Sequence, residues 1–72
     1  KGVWEMTEVR IKTISDRVYY TTTDLASGDY IKLVMKLGIE YFLPVKDVFN
    51  NEVWVKRDEI ESFTFIEEAD DD

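Results

Sequence analysis

EVWVKRDEIESFTFI, residues 52–66, decides how this chain reads. Val53 and Val55 alternate with Glu52, Trp54 and Lys56, the period of two that belongs to a half-buried strand. A polar step, Lys56-Arg57-Asp58-Glu59, follows. Apolar residues then return at Ile60, Phe63 and Phe65, with Glu61, Ser62 and Thr64 among them. The stretch predicts two short strands joined by a tight, charged corner. A lone strand pair is marginal in water, so both strands need further sheet to pack on.

Upstream, Asn50-Asn51 is a turn dipeptide that delivers the chain into this stretch. Before it, Ile39, Tyr41, Leu43 and Val45 alternate, and Pro44 makes that segment a strand end, an edge or a bulge because proline cannot donate to a ladder. Tyr30–Leu37, YIKLVMKL, admits two readings. One is a helix capped by Asp29; the other is a strand in which Ile31, Leu33, Met35 and Leu37 alternate with Lys32, Val34 and Lys36 until Gly38 stops the run. The alternation favours the strand, which leaves the body without a helix. Further back, Val9, Ile11 and Thr13 alternate with Arg10 and Lys12. Ser15-Asp16 is a turn signal, and RVYYTTT (17–23) holds the β-branched and aromatic residues of a second strand, so the two form a hairpin. In residues 1–8, Val3, Trp4 and Met6 fit either a strand or one turn of helix.

Five or six short strands with brief polar turns predict an all-β domain over residues 9–66, a small barrel or sandwich. A chain of 72 residues makes one domain with a marginal core, and it has neither cysteine nor histidine, so no disulfide or structural zinc is expected to staple it. Oligomerisation is the remaining remedy, and a 44% hydrophobic, 14% aromatic composition fits apolar surface shared between subunits. The net charge is −7, but Glu67, Glu68, Asp70, Asp71 and Asp72 supply five of the 16 acids, leaving 11 against 9 basic residues in the body. The composition of that tail, 67–72, predicts a solvated, disordered segment. No apolar run approaches the ~20 residues of a membrane span and no signal-peptide core is present, so a soluble, cytoplasmic protein is expected.

Two strings together resemble the Sm and LSm family of RNA-binding ring proteins, Hfq-like proteins among them. DYIKLVM (29–35) is similar to the family's first motif, an aspartate, a base-stacking residue and apolar strand residues. VWVKRDEI (53–60) with ESF is similar to the second, an apolar strand, a basic turn and an apolar residue opening the last strand. VRIKTISDRVYY (9–20) resembles the opening hairpin. The sequence departs from the pattern at Lys32 and Glu59, where the family commonly has asparagine, at Arg57, where it has glycine, and at Thr21 or Thr22, where a glycine is expected. The resemblance implies a five-stranded, SH3-like open barrel with a strongly bent antiparallel sheet, and a short helix or extra strand at the N-terminus. It further implies a homo-oligomeric ring of about five to seven copies, closed by strand four of one subunit pairing with strand five of the next. Val53, Trp54 and Val55 would then meet Ile60, Phe63 and Phe65 of a neighbour.

The same resemblance puts Asp29, Tyr30 and Lys32 on one pore-facing loop and Lys56, Arg57 and Asp58 on another. Three cations per subunit, repeated around a ring, would let an acidic chain hold the phosphates of U- or A-rich single-stranded RNA, with Tyr30 as the stacking platform. Two plainer readings stand beside this: Tyr30 as an ordinary strand residue, and Lys56-Arg57 as a solvated turn paired with Asp58 and Glu59. Trp4 and Trp54 suit packing or an interface better than base stacking. Lacking histidine, cysteine and a glycine-rich phosphate loop, the sequence predicts no enzyme, no cofactor, no metal site and no small-molecule substrate. The competing expectation is a ring or barrel interaction module without RNA binding that docks on a protein partner, of the kind a phage encodes.

Overall fold

A computed structural model describes residues 6–66. Five antiparallel strands form one sheet: β1 (Thr7–Thr13), β2 (Val18–Thr23), β3 (Phe42–Lys46), β4 (Glu52–Lys56) and β5 (Ile60–Ile66). The chain is thus mostly β and barrel-like. One helix, α1 (Ser27–Met35), lies between β2 and β3, and a 3₁₀ turn, Arg57–Glu59, forms the corner between β4 and β5. The order is β4-β3-β2-β1-β5, so the strands on either side of the corner occupy opposite edges of the sheet. β1 starts at Thr7, inside the predicted N-terminal extension. The readings of Val3 and Trp4 and of the acidic tail fall outside the described residues.

The period-two segments in residues 9–13 and 52–65 are strands, as their alternation predicts. Val9, Ile11 and Thr13 of β1 are buried while Glu8, Arg10 and Lys12 are exposed. Across the ladders, Val9 and Ile11 stand opposite Thr21 and Tyr19 of β2 and opposite Phe65 and Phe63 of β5, which defines the inner face. The β1–β2 turn falls at Ser15-Asp16. Asp16 takes φ 69°, a left-handed conformation that aspartate tolerates better than most residues. β3 pairs with β4 along its length but with β2 only at Tyr20↔Lys46. Pro44 is accommodated because β3 behaves as an edge toward β2 everywhere except its last residue.

Residues 30–37 correct the strand reading. Their first six close α1, whose first turn starts from Ala26 rather than Asp29, with the Tyr30 N–H donating to the Ala26 carbonyl at 2.9 Å. The alternating set Ile31, Leu33 and Met35 is exposed; Tyr30 and Val34, four apart, are buried instead. Spacing of four puts both on one helical face, and Leu, Met and Lys are strong helix formers, so the segment satisfied a helical period that the alternation concealed. The string compared with the first family motif is therefore helical where that comparison expects a strand. Ile39 and Tyr41, read as strand, lie in the connection before β3 and are exposed.

The helix supplies part of the core that the bent sheet lacks. Tyr30 and Val34 join Val9, Ile11, Val45 and Val55, with Tyr19, Leu43, Val53, Ile60, Phe63 and Phe65 packed around them. Tyr30 meets Phe63 and Phe65 edge-on, at ring-centroid distances of 5.7 and 5.8 Å, a favoured aromatic geometry. Tyr30→Ala is expected to lower stability by about 3 to 5 kcal/mol, comparable with the whole stability of a domain this size. Tyr30→Phe should retain most of it. Urea unfolding of both variants checks this, and an unchanged midpoint for Tyr30→Ala would return the residue to a surface role.

Candidate functional site: the corner and the open edges

The corner is a junction of three segments. Its backbone takes the Ile14 N–H at the Glu59 carbonyl (2.9 Å), gives the Arg57 N–H to the Tyr41 carbonyl (2.7 Å) and gives the Asp58 N–H to the Ile39 carbonyl (3.2 Å). The Arg57 side chain reaches the end of α1, where Nε donates to the Val34 carbonyl at 3.2 Å and Nη2 lies 3.0 Å from the Met35 sulfur. The Val34 carbonyl also accepts the Leu37 N–H at 3.0 Å, and the guanidinium adds a charge-assisted bond at the negative end of the helix dipole.

The structure thus brings the two predicted cationic segments together, but in altered roles. Tyr30 is 8% exposed, and its ring belongs to the core, so it offers no stacking face. Burial also pushes its phenol above the ordinary value; this contribution to stability is present below about pH 10 and is lost as pH rises through the raised value. Arg57 is half-buried and engaged at the helix end. Asp29 and Lys32 are exposed on α1, Asp58 is exposed at the corner, and Lys56 is half-buried at the end of β4. Among the described residues no group of histidine, cysteine, aspartate and glutamate could hold a metal ion.

The predicted interface residues divide by face. Val55 is buried, and Val53, Ile60, Phe63 and Phe65 pack against the core, so their side chains face inward. Trp54 is exposed on the outer face, where it stands opposite Pro44, with Phe42 opposite Lys56 on the same side. Period two in β3 carried that signal: Phe42 and Pro44 hold the outward positions. An open groove of about 370 Å³ adjoins them, lined in part by Arg17, Tyr19, Phe42, Trp54, Lys56 and Glu59.

At the other end of the β3–β4 hairpin, the loop is tied to Asp47. Its Oδ1 accepts the backbone N–H groups of Phe49 (2.9 Å) and Asn51 (2.8 Å), and its Oδ2 accepts from the Asn51 side-chain amide (3.1 Å). The Asn51 backbone N–H first, with its side chain and Phe49 adding to it, holds the Asp47 carboxyl below its ordinary range. The reversal falls at Val48-Phe49, just before the predicted Asn50-Asn51 turn, closed by the Asn50 N–H donating to the Asp47 carbonyl at 2.9 Å, and Asn50 leaves it at φ 68°.

No family model, curated protein or solved structure matches the chain, and no helix among the described residues is long and apolar enough to cross a membrane.

Two outcomes follow from these bonds. Arg57→Gln is expected to destabilise the fold by about 1 to 2 kcal/mol through the lost charge-assisted bond, whereas Lys56→Gln should change it by less than about 0.5 kcal/mol; thermal unfolding compares them. Asp47, with its pKa lowered in the folded state, orders the loop above the ordinary aspartate pKa of about 3.9 and loses that effect as pH falls through the lowered value. The amide resonances of Phe49 and Asn51 should therefore stay fixed from neutral pH down to about 4 and move only below it.

Proposed function

We propose that the protein is a non-catalytic assembly module whose copies join edge to edge, β4 of one against β5 of the next. The observation that carries this reading is the strand order, which leaves β4 and β5 at the two ends of one sheet. An edge strand presents backbone donors and acceptors to any chain able to pair with it. Joining two unlike edges is a head-to-tail contact, and it closes into a ring when the rotation per copy permits. The ring of about five to seven copies implied by the Sm-like resemblance is one such closure. A small core and an exposed Trp54 beside Phe42 and Pro44 support the reading, because apolar surface along a seam would be covered by the neighbour.

Single-stranded RNA at the centre of such a ring is a second reading, favoured by one observation. The Arg57 bonds to Val34 and Met35 tie the corner, which carries Lys56, to the helix that carries Lys32. The buried Tyr30 lends this reading nothing, so any binding would depend on phosphate contact and fall steeply with salt.

Sedimentation equilibrium tests assembly: the protein is expected to run as a fixed multiple of the chain mass, and Trp54→Glu combined with Thr64→Glu, placing like charges on the two edges, should lower that multiple. A monomer across the micromolar range would sink the proposal. Fluorescence anisotropy with labelled oligo-uridine and oligo-adenine at two salt concentrations separates the readings, since a protein-only module leaves both signals flat.

A further inference from the structure

The tip of the β3–β4 hairpin is built unlike an ordinary surface turn. Asp47 receives three hydrogen bonds from within the loop, its backbone N–H reaches the Asn51 carbonyl at 3.0 Å, and the Asn50 N–H reaches the Asp47 carbonyl at 2.9 Å. These bonds fix the backbone around two apolar side chains that face water. Phe49 is 80% and Val48 66% exposed; no other large apolar residue among those described is as open as Phe49. An exposed phenylalanine on a mobile loop would lose conformational freedom on docking, whereas a pre-ordered loop has already lost it in folding.

Beside the tip lies an open groove of about 650 Å³, lined by Glu8, Tyr20, Thr22, Lys46 and Val48 among its walls but not by Phe49. The groove is open to solvent and wider than a phenyl ring needs. The groove floor includes the outward face of β2 at Tyr20, and its rim carries acids, Glu8 and Asp47, together with a cation, Lys46.

We propose that Phe49 of one copy seats in this groove of a second copy, and the second copy's Phe49 in the first. The occupant is a second copy because knob and groove adjoin on one surface, the arrangement a two-fold contact requires. The rim bears both signs, so a two-fold pair sets Lys46 of each copy against Glu8 of the other. This contact uses neither β4 nor β5 as an edge and does not rest on the edge-pairing reading.

The test is sedimentation equilibrium of three samples, each first shown by circular dichroism to be folded: the unaltered chain, Phe49→Ser, and Thr22→Trp, which fills the groove from an exposed position on β2. Each variant alone should weaken the two-fold association by about tenfold or more. Mixing the two should restore part of it, because the Thr22→Trp copy still has its knob and the Phe49→Ser copy its groove. If edge pairing also operates, losing Phe49 halves the particle mass, while the Trp54→Glu and Thr64→Glu variant leaves a dimer. Association unaltered by Phe49→Ser, or a mixture no tighter than either variant alone, overturns the proposal.

Discussion

The position of Arg57 sets the terms for the rest of this fold. Its guanidinium closes the C-terminal end of α1, and its backbone, with that of Asp58 and Glu59, holds the α1–β3 connection and the β1–β2 turn. A helix of nine residues is too short to be stable alone. It persists because one face is buried by Tyr30 and Val34 and one end is tied to the corner. The corner in turn is where β4 turns away from β5, so the same few bonds that seat the helix fix the angle at which the two edge strands part. In a charged tetrapeptide that reads as solvent-facing, the backbone of residues 57–59 and the Arg57 side chain are committed to neighbouring segments, while Asp58 and Glu59 stay exposed.

That commitment marks where the sequence was legible and where it was not. The alternation of Val9, Ile11 and Thr13 in β1, of Val53 and Val55 in β4 and of Phe63 and Phe65 in β5 identified strands and their inner faces, because burial on one side of a sheet imposes a period of two that few other structures share. The run 30–37 failed for a physical reason: Ile31, Leu33, Met35 and Leu37 alternate, while Tyr30, Val34 and Leu37 share a helical face, so both periods are present in eight residues. Tertiary context chose between them. A strand there would have left the concave side of the sheet without Tyr30 and Val34, and the helix places both in it. Once Tyr30 was drawn inward, it left the set of exposed residues on which base stacking depends.

The remaining surface is apolar to a degree unusual for a chain so rich in acids. Its exposed large residues fall into separate groups: Ile31, Leu33 and Met35 on α1, Phe42 and Trp54 outside the hairpin, and Val48 and Phe49 at its tip. The first group was visible in the sequence as hydrophobic but assigned to the wrong face. The second could be read from the outward positions of β3 and β4. The third had a local signature, an aspartate four residues before an asparagine, whose meaning depends on side-chain bonds that no periodicity reports.

The single register pair Tyr20↔Lys46 makes the sheet two leaves on a pivot. One leaf is the β5-β1-β2 ladder, and the other is the β3–β4 hairpin, held to the first by that pair, by Val45 and Val55 in the core and by the corner. The angle between the two leaves sets the angle between the outermost strands. In any assembly that repeats by joining those strands, this angle is the turn made at each copy, and small rotations of the leaf alter how many copies complete a circle. The curvature of such an assembly would be set at the least bonded seam in the sheet.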